Sequence, residues 1–424
     1  MLKSSLPDFS GNAEVRHNFL MNLLDGGIFA FATSVVSQVT VLPVLIKEMG
    51  GSNLTVGLIP ILWTVGFNFP QIFIANYARI LPFKKKFVLK TGMMQRLPWL
   101  LLAYVTYFWI EKISNEFGLV LILVCFTLSA IGGSINLPGW FDMISKITPV
   151  NLRGRLFAYR TLLGGVLGII GGAIVTYVLS ELKFPDNFSL LFLISFLITM
   201  ISYIFVANIK ESTPNMPEEF FRYREFFRRL FRIFKEDRRY RNFVIADSLI
   251  NITIMADAFY TVNAIDRLSL PYSFAGIFTI IMMAGMIGGN LFFGHIADRF
   301  GHRINLLLCA IIKSIICLIA VITPPLSIYF LVFIGAAFTT SLLGISRLTM
   351  IAEICNEEDR PTYVALTNMI TSPFVLLGIG GGWLANRFGY QIVFVIAGIF
   401  ALIASIWYYK MVEEPRQRGA AVNI

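Results

Sequence analysis

The sequence predicts an all-α polytopic membrane protein of twelve transmembrane helices in two pseudo-symmetric six-helix bundles, and three observations predict it. The first is composition: 56% of the 424 residues are hydrophobic and only 14% charged, against about 25% charged in an average soluble domain. A soluble fold could not hide that much apolar surface. The second is segmentation. Runs such as Leu100 to Ile110, Leu119 to Ile131 and Leu190 to Val206 recur along the chain, and with short polar breaks they extend to about twenty residues, enough to cross a hydrocarbon core of about 30 Å at about 1.5 Å per residue. Strict alternation of apolar and polar residues is missing, which argues against an outer-membrane barrel. The third is an internal repeat. Residues 143–159 overlay residues 350–366, pairing Met143, Ile144, Ile147, Arg153 and Ala158 with Met350, Ile351, Ile354, Arg360 and Ala365. LGIIGG at Leu167 overlays LGIGGG at Leu377, and Asn18-Phe19 matches Asn242-Phe243. The matches keep one order, as a duplicated six-span unit requires.

Taken in order, the leading residues MLKSSLPDFSGNAEVRHNF lack an apolar core, so no cleavable signal peptide is expected. Span 1 (19–46) carries Asn22 and Asp25, then Ser37 and Gln38 near mid-membrane. Span 2 (54–78) carries Trp63, Asn68 and Gln71. Span 3 (87–110) holds Arg96 and the first long apolar run; span 4 (117–138) holds the second and leads to Asn136 and Trp140. RGRLFAYR, with Arg153, Arg155 and Arg160, opens span 5 (160–180), and span 6 (188–208) is the third run. Residues 208–241 then join the halves. They contain ten Lys or Arg and six Asp or Glu, and EFFRYREFFRRLFRIF sets Phe220, Tyr223, Phe227, Leu230, Phe231 and Phe234 at helical spacing, predicting an amphipathic helix at the lipid headgroups. Span 7 (243–265) is the most polar. Span 8 (274–297) ends in GHIADRFGHR; span 9 (304–323) carries Lys313; span 10 (326–346) ends at Arg347; span 11 (362–385) carries Asn368; span 12 (391–409) completes the second half. The expected domains are therefore 1–207, the linker 208–241, and 242–424.

With both termini placed in the cytoplasm, that side and its helix ends hold 28 of the 35 Lys and Arg, as the positive-inside bias demands. The net charge of +10 is thus spread along one membrane face, where anionic headgroups rather than nucleic acid are its expected partners. The three histidines sit at or beyond helix ends, the four cysteines show no CxxC spacing, and no GxxxxGK[ST] is present. No metal, cofactor or enzymatic chemistry is expected.

An ionisable group at membrane depth costs about 2.5–3.5 kcal/mol on insertion scales, so such groups usually have a reason. Asp257 lies about 21 Å along span 7 from its cytoplasmic end and shares a face with Tyr260, three residues on; Asp247 shares another with Asn251. Asp257 reads as a proton-coupling or substrate-binding carboxylate, or as a structural one satisfied by hydroxyls or an Arg. Asp247 and Asp25 are shallower and read as gate or cap residues. Ser37, Gln38, Trp63, Asn68, Gln71, Asn136, Trp140 and Asn368 read as substrate contacts, although for each lone amide an interhelical hydrogen bond competes. Lys313 and Arg96 are expected to snorkel or meet a carboxylate rather than touch substrate.

The turn after span 8 resembles the loop signature of the major facilitator superfamily, G-x-x-A-D-R-x-G-x-R, here Gly294, Ala297, Asp298, Arg299, Gly301 and Arg303. The resemblance implies a secondary transporter working by alternating access, with spans 3, 6, 9 and 12 outside a central cavity. It also implies that Arg153, Arg155, Arg160 and Arg347 are inner-gate cations pairing across the halves when the cytoplasmic mouth is shut, and that Asp298 then docks at the N-terminus of span 11 beside Arg360. The matching loop of the first half, ANYARILPFKKK, lacks the glycines and the Asp. Span 5 lacks the proline of the antiporter signature, and sugar- and peptide-porter signatures are absent. The expected function is proton symport of a small organic solute by a monomer in the cytoplasmic (inner) membrane of a bacterium. An uncoupled facilitator or exchanger, a drug antiporter, a receptor and a membrane enzyme are the alternatives.

Overall fold

The computed structural model describes residues 13–212, 214, 232–356 and 360–416, leaving aside the side chains of residues 72, 75, 76, 79, 361 and 365. Most of the linker's predicted amphipathic helix, and the side chains of Asn76 and Arg79, lie outside the described set. Among the described residues, regular structure is helical, with two short 3-10 turns, Ile110–Lys112 and Ile254–Ala256. Nine segments among the described residues are long and apolar enough to cross a membrane, including Asn115–Ile147, Phe274–Phe300 and Tyr390–Lys410. The remaining three expected spans are helical too: Ala13–Val35 continued by Val41–Glu48, then Asn53–Ile80, then Lys85–Phe108. The chain is a multi-pass helical membrane protein.

Three spans are not the continuous helices that apolar periodicity predicts. Span 1 breaks after Val35 and resumes at Val41. The Thr33 and Ser34 hydroxyls donate back to the carbonyls of Ala30 and Phe31, a local bond that competes with the helical ladder. Pro43 then sits in the first turn of the new helix, where its missing N–H costs nothing. Span 7 runs Arg238–Thr253, passes through the 3-10 turn and resumes at Phe259–Leu268. Here Thr253 donates back to the Ile250 carbonyl at 2.7 Å. Span 11 breaks at Leu376, three residues beyond Pro373, into Arg360–Val375 and Leu377–Phe388. Each break lies within a polar, lining-type span and leaves backbone and side chains free of helical geometry.

By packing, the chain forms two units. One comprises 1–37 with 66–220, the other 38–65 with 221–424. In the first, Phe19, Met143, Ile144, Leu152 and Val206 form a buried cluster. In the second, Phe243, Met350, Ile351, Leu366 and Tyr408 do so. Phe19 and Phe243, Met143 and Met350, Ile144 and Ile351 are the pairs that the sequence repeat aligns. The preceding asparagines repeat a function as well. Asn18 bonds both the N–H and the carbonyl of Lys210, just past span 6, while Asn242 donates to the Met411 carbonyl just past span 12. The repeat is thus expressed as the same core and the same tie.

Residues 38–65, the end of span 1 and the start of span 2, pack with the second unit. Thr261 donates to the Val39 carbonyl at 2.9 Å, and the Thr40 and Thr279 hydroxyls meet at 2.6 Å. Asn53 donates through its backbone to Asn386 and through its side chain to the Ala385 carbonyl. A Cβ added to Gly57 would stand 3.0 Å from the Gly382 Cα; glycine at both positions lets the two backbones cross this closely. Lys47 donates to Asn53 and lies over the Tyr390 ring, and Tyr390 donates to Asp266. Burial raises the Glu48 carboxyl above its usual range, opposed by a hydrogen bond from Tyr272.

Candidate functional site

Asp257 occupies the broken turn of span 7, directly after the 3-10 segment. Its side chain keeps 27% of its surface exposed, whereas Lys313, which forms an ion pair with it, keeps 6%. Sequence reasoning had Lys313 snorkelling or finding a carboxylate, and the carboxylate it finds is the one singled out on span 7. Geometry explains why: Lys313 sits mid-way along span 9, too deep to reach headgroups. Its ammonium also lies 5.6 Å from the Tyr260 ring centroid. Tyr260 itself is fully buried. It stacks on Phe394 at 5.4 Å, and its hydroxyl lies 3.4 Å from the Cys317 sulfur. It packs behind the ion pair rather than beside Asp257 on an open face.

A second ion pair lies in the same unit. Asp247 is wholly buried, and both its oxygens accept from Arg347 at 2.8–3.0 Å. The same guanidinium donates to Asn368 at 3.0 Å and Thr371 at 3.2 Å. This spends donors of all three of its nitrogens on spans 7 and 11 of its own unit. Asn368 positions Arg347, and Asn251 donates back to the Asp247 carbonyl.

The first unit carries the corresponding polar centre. Arg160 forms an ion pair with Asp25 at 3.2 Å, bonds the Asn22 backbone and side-chain oxygens, and lies 4.9 Å from the Trp140 centroid. Gly26 makes room for it, since a Cβ there would overlap the guanidinium. Asp25 also accepts from Ser202 at 2.7 Å. Arg96, expected to snorkel or meet a carboxylate, is instead buried, donating to Thr199, Gly92 and Ser202. Asp25, Arg96, Arg160, Asn136 and Trp140 line one cavity of about 180 Å³. Arg160, like Arg347, thus has a carboxylate partner inside its own unit.

At the turn after span 8, Gly301 adopts φ +88°, a conformation that favours glycine, and a Cβ there would collide with Glu414. Arg303 donates its backbone N–H to Glu414 and its guanidinium to the Tyr408 and Tyr409 carbonyls. Arg416 pairs with Glu353 at 2.7 Å and donates to the Ala297 and Asp298 carbonyls. His302, close to Glu353, is buried against Ser346. Arg303 thus ties the turn to the end of span 12 and, through Glu414, to the segment after it. Asp298, Arg299 and Arg360 are exposed, and Gly294 faces open space.

A family model described as the Major Facilitator Superfamily matches residues 24–288 and, separately, 243–423. The chain belongs to this superfamily. No curated protein sequence matches it. Among solved structures it is similar to a bacterial homologue of the human lysosomal transporter Spinster in an inward-facing, unoccupied conformation (14% identity, covering 94% of this chain and 97% of that one, TM-score 0.68). It is also similar to a point variant of the nucleoside transporter NupG (12%, 94% and 100%, 0.70) and to a D-xylose–proton symporter (13%, 95% and 99%, 0.70). At these identities the likeness shows the fold. The chain is a secondary transporter of the superfamily, not an enzyme, and its cargo is a small molecule.

The other residues singled out in the sequence lie on spans 1, 2 and 4 and ahead of span 5. Ser37 and Gln38 lie half-buried in the break of span 1, and the Gln38 Oε1 is buried without a hydrogen bond among the described residues. Trp63 and Asn68 are half-buried on span 2, and the Gln71 backbone N–H donates to the Ser134 hydroxyl at 3.0 Å. Asn136 ties span 4 to span 3 through the Val88 carbonyl and Thr91, so at this site the interhelical bond is realised. Arg153 folds back onto the Ser145 and Thr148 carbonyls, and Arg155 is exposed. Among the described residues no three His, Cys, Asp or Glu side chains converge as a metal cage. Missed by sequence were Lys313 as the partner of Asp257 and Arg96 as a buried cavity cation. Mid-span position on helices 3 and 9 was the available signal in both cases.

Proposed function

We propose that the protein is a monomeric proton-coupled symporter of a small organic solute in the cytoplasmic membrane, with both termini cytoplasmic, and that Asp257 carries the coupling proton. The observation that carries this reading is the Asp257–Lys313 pair: a carboxylate at a helix break, one quarter exposed, facing a fully interior ammonium. A proton arriving at Asp257 removes the charge that holds Lys313, and the broken turn lets span 7 respond without unwinding a continuous helix. Support for alternating access comes from residues 38–65. Their contacts with Thr261, Thr279, Asn386 and Gly382 are individual hydrogen bonds and one close glycine crossing, and these would have to part if the ends of spans 1 and 2 moved with the rest of their spans.

One observation favours a second reading, an uncoupled facilitator. Asp257 already has a counter-ion, and a permanently paired carboxylate carries no proton. The two are separated by a ligand-induced thermal-shift screen of small organic solutes, followed by uptake of the hit into proteoliposomes. Coupling predicts accumulation under an inward proton gradient that collapses with a protonophore. It predicts equilibrative exchange, without accumulation, for both Asp257→Asn and the charge-balanced Asp257→Asn/Lys313→Met. Equal uptake with and without the gradient contradicts coupling.

A further inference from the structure

The cavity of the first unit has an unbalanced charge. Its lining includes two guanidiniums, Arg96 and Arg160, and one carboxylate, Asp25; the other polar groups there, Gln95, Asn136 and Tyr203, are neutral. Arginine does not deprotonate in proteins, so one positive charge remains in a setting where an unpaired ion is costly. Arg96 is 5% exposed, and its three described hydrogen bonds leave N–H groups on both terminal nitrogens unspent. Arg160 is held flat against Trp140 by a cation–π contact and anchored by Asp25. The rest of the wall is apolar and aromatic and includes Phe29 and Phe67; the Arg96 guanidinium carbon lies 5.7 Å from the Phe29 ring centroid. At about 180 Å³ the space exceeds an engineered cavity of about 150 Å³ that accepts benzene.

We infer that this cavity is a binding site for a small organic monoanion with a flat apolar body, its carboxylate or equivalent group lying between Arg96 and Arg160. The two forks supply the charge and the planar donors that a carboxylate matches, and the aromatic wall supplies the apolar contact. The anion completes a neutral set with Asp25 and the two arginines. The inference deepens the transporter reading by naming a cargo class and rests on that reading only for the step from ligand to cargo.

Benzoate is the probe, titrated calorimetrically into the purified full chain in detergent, with benzamide and benzylammonium as neutral and cationic controls. Saturable binding of benzoate, at least tenfold tighter than either control, is expected. Arg160→Gln, which brings the lining to neutrality, should weaken benzoate at least tenfold. Asp25→Asn, which raises the excess to two, should tighten it several-fold and decides the matter if Arg160→Gln does not yield monodisperse protein. Benzamide binding as well as benzoate, or benzoate binding unchanged in these variants, overturns the inference. No gradient is involved, so intact benzoate binding without gradient-driven accumulation removes coupling alone. Gradient-driven accumulation of another solute without benzoate binding removes the anion site alone.

Discussion

Replacing Arg347 with alanine is expected to destabilise the protein by about 3–5 kcal/mol, the range for removing one partner of a buried ion pair. Asp247 is wholly buried, and both of its oxygens accept from this one guanidinium. Truncation strands the carboxylate and also frees Asn368 and Thr371. Nearby, the Tyr240 hydroxyl is already spent on Thr367 and the Tyr363 carbonyl; the Tyr408 hydroxyl, buried without a hydrogen bond among the described residues, is a neutral donor and cannot replace the arginine's charge. The measurement is denaturant unfolding of the purified protein followed by tryptophan fluorescence. Asp247→Asn/Arg347→Met should recover most of the loss, because the cost lies in the unpaired charge rather than in the absent pair. A wild-type midpoint for Arg347→Ala would show that the pair contributes nothing.

The second large effect concerns Asp257 and Lys313, and its sign depends on which partner is removed. Asp257→Asn leaves an ammonium that is 6% exposed, deep in span 9 and without its counter-ion. A loss of about 3–5 kcal/mol is expected. Lys313→Met leaves a carboxylate with 27% of its surface open, which can reach water or take a proton, so the loss should be nearer the 1–3 kcal/mol of an unsatisfied buried group. The double variant should lie closer to wild type than either single one. Equal losses in the two single variants would mean that the exposed side of Asp257 gives it no relief, and would count against its access to a proton.

Much of this architecture is legible in the sequence, for physical reasons that also mark where legibility stops. Spans can be read because twenty apolar residues have few other uses, and the duplicated halves because Phe19 and Phe243, or Met143 and Met350, fill equivalent cores. Breaks in spans 1, 7 and 11 are hidden, since polar residues within a span fit a continuous helix with a polar face equally well; the back-bonding of Thr33, Ser34 and Thr253 and the placement of Pro43 and Pro373 were the local marks. Buried charges can be found one by one, but their partners cannot, because each partner sits on another helix at a depth that small shifts in span edges blur. Asp257 was visible, and Lys313 as its mate was not. Arg160 and Arg347 were visible, but not that Asp25 and Asp247 lie within reach of them in their own units. GHIADRFGHR shows the same limit: Gly301 stands out as part of the signature, but the carboxylate against it comes from Glu414, more than a hundred residues away.

The account depends on residues 38–65 releasing from the second unit during the cycle. Spin labels at Ser52→Cys and Arg387→Cys, both exposed and beside the Asn53–Asn386 contact, report that step by pulsed dipolar spectroscopy in lipid nanodiscs. The prediction is two distance populations, a short one from the docked arrangement and a longer one whose share changes with pH. A single short distance at every pH, with and without a transported solute, would contradict it.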